Sequence, residues 1–197
     1  MPSGLLHAPQ MILIGSSGRN AGKTILAEAL IRAWKGKFPI AALKITGIAE
    51  RSALCPRGGA GCGACVNIGT ADFALEEELG LSPDKDTARL LKAGADRVFW
   101  LRALYGALQT GYQAFLDAIP TNALILCESN SLREAVRPGC FIMLIDGETM
   151  KPTASRVLDL ADMVVSNRKT PEDLTQILSR IQAEPDESGA VRIQAKP

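Results

Sequence analysis

The chain has 197 residues, 47% of them hydrophobic and 22% charged, with a formal net charge of +1. That composition fits a single globular domain spanning residues 1–197, with a buried core, and the balanced charge gives no electrostatic case for nucleic-acid binding. No apolar run approaches the roughly 18 residues needed to cross a bilayer, and residues 1–10 lack the basic and apolar regions of a signal peptide, so a cytoplasmic protein with reduced thiols and no membrane partner is expected.

The first apolar run, residues 11–14, reads as a strand. It leads into Ser17-Gly18-Arg19-Asn20-Ala21-Gly22-Lys23-Thr24, and a helical pattern over residues 24–34 follows. Strand, glycine-rich loop, Gly-Lys-Thr and helix, in that order, are the parts of a phosphate-binding P-loop. Ser17 stands where the strict pattern has glycine. Small residues let backbone N–H groups wrap phosphates, and the helix N-terminus adds a positive dipole end. Lys23 is expected to reach the β- and γ-phosphates and the Thr24 hydroxyl to bind Mg²⁺. These residues are the expected site of GTP or ATP.

The second strand, residues 40–45, brings Lys44 to its carboxyl end. There it can meet a phosphate or an anionic substrate, or serve only as a solvated cap. Residues 49–69 then break the rhythm with a Cys/Gly-rich insertion. Cys55, Cys62 and Cys65 lie within eleven residues and end in a Cys-x-x-Cys turn, a spacing that lets two thiolates bind one ion. Soft thiolates select zinc, copper or an iron–sulfur cluster. A closed zinc site needs a fourth ligand. A homodimer sharing the metal, an open position or an external ligand would complete it; a redox-active or idle loop is the alternative. Because the insertion follows the second strand, it should leave the sheet at the same edge as the P-loop.

Helices are expected over residues 70–79 and 86–93. Asp84 or Asp86 either caps the second of these or orders water around Mg²⁺. A strand over 97–101 and a helix over 107–118 precede a buried strand, 123–127, which ends in Glu128. An acid there matches the second phosphate-site motif, close to Mg²⁺; Asp146, after the strand at 141–145, is the other candidate. Cys127 and Cys140 sit in apolar strands and read as core thiols. A helix over 153–160 and a strand over 163–166 come next. Asn167 then either reads a nucleobase edge or makes a turn. Thr170 and Pro171 begin a helix over 171–181, followed by a loop at 184–189 and a short strand at 190–193. Strands alternate with helices, and most strand runs are continuously apolar. The expected fold class is α/β: a three-layer P-loop NTPase with a mostly parallel sheet flanked by helices.

The P-loop, the strand ending in Lys44, the stretch Lys85-Asp86-Thr87-Ala88-Arg89-Leu90-Leu91-Lys92-Ala93-Gly94-Ala95 and the acid Glu128 together resemble the molybdopterin-guanine dinucleotide biosynthesis protein B (MobB) family over residues 11–168. The resemblance implies a GTP-binding P-loop accessory factor in molybdenum cofactor biosynthesis that forms homodimers. It implies that Lys23 and Thr24 bind phosphate and Mg²⁺, that Asp86 lies in a switch-like segment, and that Glu128 is the acid near Mg²⁺. The chain departs from the family pattern in having Thr46-Gly47-Ile48 and the cysteine insertion after the second strand, and Glu128-Ser129 after the buried one. The leading expectation is a nucleotide-dependent accessory protein for metallocofactor assembly with slow NTP hydrolysis, acting on an assembly partner or client metalloenzyme. A small-molecule kinase or ligase similar to dethiobiotin synthetase and a zinc-stabilised, non-enzymatic nucleotide-binding module are the alternatives.

Overall fold

The computed structural model describes residues 4–49, 68–80, 85–147, 149–166 and 171–196. In chain order the elements are β1 (Leu6–Ser16), α1 (Lys23–Trp34), β2 (Ile40–Ile48), β3 (Phe73–Glu77), α2 (Asp86–Ala93), β4 (Arg97–Leu104), α3 (Leu108–Asp117), β5 (Leu124–Glu128), β6 (Val136–Ile145), α4 (Pro152–Ser155), β7 (Met163–Ser166), α5 (Pro171–Ser179), β8 (Ile181–Pro185) and β9 (Val191–Ala195). Seven strands form one sheet in the order β3-β4-β2-β5-β1-β6-β7, parallel throughout except for β3; β8 and β9 make a separate antiparallel hairpin. The chain is therefore an α/β protein with a mostly parallel sheet. No helix among the described residues is long and apolar enough to cross a membrane.

The central strands are apolar on both faces because both faces are covered. Ile12 and Ile14 of β1 pack with Leu26, Leu30 and Ile31 of α1, Leu90 of α2, Ile177 of α5 and Val191 and Ile193 of β9. Met11 and Leu13 point the other way, against Tyr112 and Phe115 of α3, Leu132, and Ala154 of α4. Strand side chains alternate faces, so a continuous apolar run is what a sheet between two helical layers requires. Each fully buried Ile, Leu or Phe contributes about 1.5–3 kcal/mol.

Four expectations are corrected. Residues 70–79 do not form a helix. Phe73 and Leu75 alternate with Ala74 and Glu76, and the first pair packs against the α3-side core. The segment becomes β3, an edge strand antiparallel to β4, and Glu77 pairs with Arg97 across the ladder at 2.6 Å. Tertiary pairing overrides the helix propensity of its glutamates. The helix expected over 153–160 shrinks to one turn, α4, and a 3₁₀ turn at Leu158–Leu160. The last helix stops at Ser179, and Ile181 begins β8, whose turn to β9 occupies part of the expected loop. β1 also starts earlier than residue 11, because Leu6–Ala8 pairs with Val136–Pro138 before a register shift ahead of Ile12.

Gly139 sits where β6, β1 and the hairpin meet. A Cβ there would lie 2.3 Å from the Pro9 carbonyl oxygen and 2.7 Å from that of Ile193. Both are backbone atoms and cannot swing aside. Gly139→Ala is expected to cost about 1–3 kcal/mol by overpacking, lowering the melting temperature by several degrees. A melt unchanged within error would mean that the hairpin does not press on β6.

Candidate functional site

At the carboxyl edge of the sheet, β1, β5 and β2 stand side by side with Ile14, Glu128 and Lys44 in register. Ile14 belongs to the face covered by α1, so Glu128 and Lys44 also face α1. The chain reaches α1 through a loop in which Asn20 (φ 58°) and Gly22 (φ 84°) are left-handed. Turns with left-handed residues gather successive N–H groups into concavities suited to anions, and at the helix start itself only glycine takes φ 84° without strain. The first turn of α1 then carries Lys23 and Thr24.

Thr24 donates a hydrogen bond from Oγ1 to Glu128 Oε2 at 3.2 Å. Glu128 is 4% exposed, and its buried Oε1 has no hydrogen-bond partner among the described residues. Burial pushes this carboxyl above its usual range, against the pull of Lys44, the Thr24 hydrogen bond and Lys23, while Asp86 adds to the rise. Burial likewise lowers the Lys23 ammonium below the usual lysine range, with Glu128 opposing and Lys44 reinforcing the shift. Lys23 Nζ donates to Ser16 Oγ at 2.7 Å, and Ser16 Oγ donates to the Gly18 carbonyl at 2.8 Å. A partly desolvated ammonium resting on a neutral hydroxyl gains by exchanging it for an anion.

Lys44 is brought to Asp86. The Lys44 ammonium and the Asp86 carboxylate form a close ion pair, and Arg89 Nη1 lies 3.9 Å from Asp86. Asp86 is the first residue of α2 and not its cap; Lys85 holds the capping position with no side-chain cap bond. Arg89 also bonds Glu28 of α1 at 2.8 Å, tying the two helices together.

Within the loop, Gly18, Arg19 and Asn20 are partly or fully exposed and Ala21 is buried. Ser17 is engaged on the opposite side. Its N–H donates to the Leu144 carbonyl at 2.8 Å, and its hydroxyl accepts from the Asp146 N–H at 2.8 Å. Asp146 itself is exposed and meets the loop through its backbone. Of the two acids considered for Mg²⁺, Glu128 is the one bonded to Thr24. Asn167, Cys55, Cys62, Cys65 and Asp84 lie outside the described residues. Cys127 and Cys140 are fully buried in the core, and burial pushes the Cys140 thiol up to about 12.

Two residues at this edge carry no sequence signal of the usual kind. Ser16 supports Lys23. Asn130 holds Ser16 by its backbone, accepting from the Ser16 N–H at 2.8 Å and donating to the Ser16 carbonyl at 2.9 Å. A polar residue just beyond a buried strand, at the same edge as the loop, is the only hint the sequence offered.

The Thr24 hydroxyl and the Glu128 carboxylate are hard oxygen donors of the kind Mg²⁺ takes, and the orphaned Oε1 is an acceptor that such an ion would satisfy. Among the described residues, no group of three or more His, Cys, Asp and Glu side chains is placed to hold a metal. Compared with protein-family models and with curated proteins, the chain matches none.

The raised Glu128 pKa makes a stability prediction. Between the unfolded carboxyl's value of 4.5 and the higher folded one, the native protein binds more protons, so its stability falls as pH rises through that window. Glu128→Gln removes the ionisable group and keeps the acceptor for Thr24. In chelator at pH 7 the variant is expected to melt above the parent, with the gap closing as pH falls below the ordinary carboxylate range. A variant that melts lower at pH 7 would mean that attraction to Lys44 and Lys23 outweighs desolvation.

Proposed function

We propose that this protein is a P-loop NTPase that binds GTP or ATP with Mg²⁺ and uses slow hydrolysis as a switch in metallocofactor assembly. The observation that carries the nucleotide reading is that Thr24, next to Lys23 at the start of a helix behind a left-handed glycine, bonds a buried carboxylate whose other oxygen has no hydrogen-bond partner among the described residues. Burying an acid with one oxygen unbonded is costly, and acids whose charge burial disfavours cluster at functional sites.

In this reading the β1–α1 loop holds the phosphates through its N–H groups, and Lys23 moves from Ser16 to a phosphate oxygen. Thr24 and Glu128 would hold the divalent ion, which when bound supplies positive charge to the phosphate oxygens. Asn130 keeps Ser16, and with it the end of β1, in place. Catalysis of phosphoryl transfer is mostly positioning and electrostatics, which suits a slow switch.

The assembly role is supported by the MobB resemblance over residues 11–168 and by the chain's exit from β2 into the cysteine insertion at the phosphate edge. Cys55, Cys62 and Cys65 would hold a soft metal or iron–sulfur cluster, shared across a homodimer, and a client metalloenzyme or assembly protein would be the partner.

Lys23→Ala is expected to weaken binding of Mg²⁺-GTP and Mg²⁺-ATP by roughly a hundredfold with the fold retained. Calorimetric affinity equal to the parent's would sink the nucleotide reading. Glu128→Gln should keep most of the nucleotide affinity and lose about tenfold or more of Mg²⁺-dependent turnover; equal turnover removes Glu128 from the reaction.

Elemental analysis of anaerobically purified protein tests the thiolate site. Cys62→Ser and Cys65→Ser should lose metal, whereas Cys127→Ser and Cys140→Ser should keep it. Less than about a tenth of an equivalent of zinc, iron, nickel or copper in the parent would exclude the site, since structural metals bind strongly.

A further inference from the structure

Two ammonium groups lie near enough to the buried Glu128 carboxylate to favour its charge, though each is bonded elsewhere, Lys23 to Ser16 and Lys44 to Asp86. Lys23 approaches from α1, and Lys44 stands beside Glu128 on the neighbouring strand β2. We propose that Lys44 is the residue by which this site tells a nucleoside triphosphate from a diphosphate, and that Asp86 competes with the terminal phosphate for it. This rests on the nucleotide reading above.

The first argument is position. The phosphate-holding loop springs from β1. Neighbouring strands are about 4.8 Å apart, and β5 lies between β1 and β2, so the Lys44 backbone stands roughly 10 Å from β1. A phosphate chain entering by the β1–α1 loop comes over Glu128 only with its last group. A diphosphate that ends at the loop leaves Lys44 with Asp86.

The second argument is charge. Lys44 makes the Lys23 ammonium harder to keep, while both cations favour the charged form of Glu128. In the free protein Asp86 is the second anion of this set, paired with Lys44, and a terminal phosphate near the two ammonium groups would take its place. A terminal phosphate brings more charge than Asp86 and three acceptor oxygens.

The third argument concerns what Asp86 does when Lys44 leaves. The side chains of Lys44 and Asp86 are 30% and 41% exposed, and an ion pair open to water to that extent is weak. Asp86 does not become an orphan. It opens α2, where a helix N-terminus favours a carboxylate, and Arg89 of the same helix is beside it. The exchange of Asp86 for phosphate therefore leaves no buried charge unpaired.

The test measures dissociation constants for a non-hydrolysable triphosphate analogue and for the diphosphate, of both guanosine and adenosine, with Mg²⁺, in the parent and in Lys44→Met and Asp86→Asn. The parent should prefer the triphosphate. Lys44→Met should weaken triphosphate binding by about tenfold or more, the loss expected for a charged hydrogen bond. It should leave diphosphate binding within about twofold, as for a substitution that does not touch the diphosphate, which also shows that the variant is folded. Asp86→Asn should tighten the triphosphate severalfold and leave the diphosphate unchanged. If Lys44→Met weakens both ligands equally, or neither, Lys44 is not the discriminator. If Asp86→Asn fails to tighten the triphosphate, the competition is refuted. A parent that binds neither nucleotide overturns the nucleotide reading itself; a parent that binds both, with variants of unchanged preference, overturns only the role given to Lys44.

Discussion

The hydrogen bond from the Thr24 hydroxyl to the Glu128 carboxylate joins the first turn of α1 to the end of β5, and the chemistry of the sheet's carboxyl edge is arranged around it. It sets how α1 enters the fold, since the helix begins one residue before Thr24 with no side-chain cap to hold it. It leaves one Glu128 oxygen without a partner among the described residues. It also places Lys23 where burial works against its charge. A core designed for stability alone would put an apolar residue in the place of Glu128. Keeping a carboxylate there is the kind of compromise found where activity and stability compete.

The helix α2 is held differently from its neighbours. Leu90 and Ala93 give it an apolar footing, but polar contacts hold much of its amino-terminal half: Lys44 with Asp86, Arg89 with Glu28, and Thr87 Oγ1 with Glu78 at 2.5 Å. Contacts of that type exchange partners at small cost and are sensitive to salt, whereas interdigitated apolar side chains do not slide freely. Among the elements at the candidate site, α2 is thus the one whose attachment can respond to a charged ligand.

Much of this fold could be read in the sequence. The β1–loop–α1 unit, β2, α2 and the buried strands β4, β5 and β6 announce themselves through continuous apolar runs, glycine placement and helical spacing. What escaped depended on distant partners. The glutamate-rich segment at 73–77 looks helical until β4 is there to pair with it. The choice between Glu128 and Asp146 turns on which strand end lies next to α1, which is a matter of strand order and not of local pattern. Ser16 and Asn130 matter only because their strands end at the same height, 114 residues apart in sequence. The cysteine insertion is plain in composition, yet its spacing offers only three candidate thiolates and says nothing of what would complete a site.

The hairpin β8–β9 has a consequence for how the molecule is made. Val191 and Ile193 share a core with Ile12 of β1, and the Ile193 backbone presses on Gly139 of β6 beside Pro9. β1 is thus sealed by a hairpin made long after it, roughly 175 residues further along the chain. Contacts this distant along the chain are slow to form, and residues are added at only about 5–20 per second. For roughly ten to thirty-five seconds the apolar underside of β1 is without its final cover, a period in which such surface is prone to association.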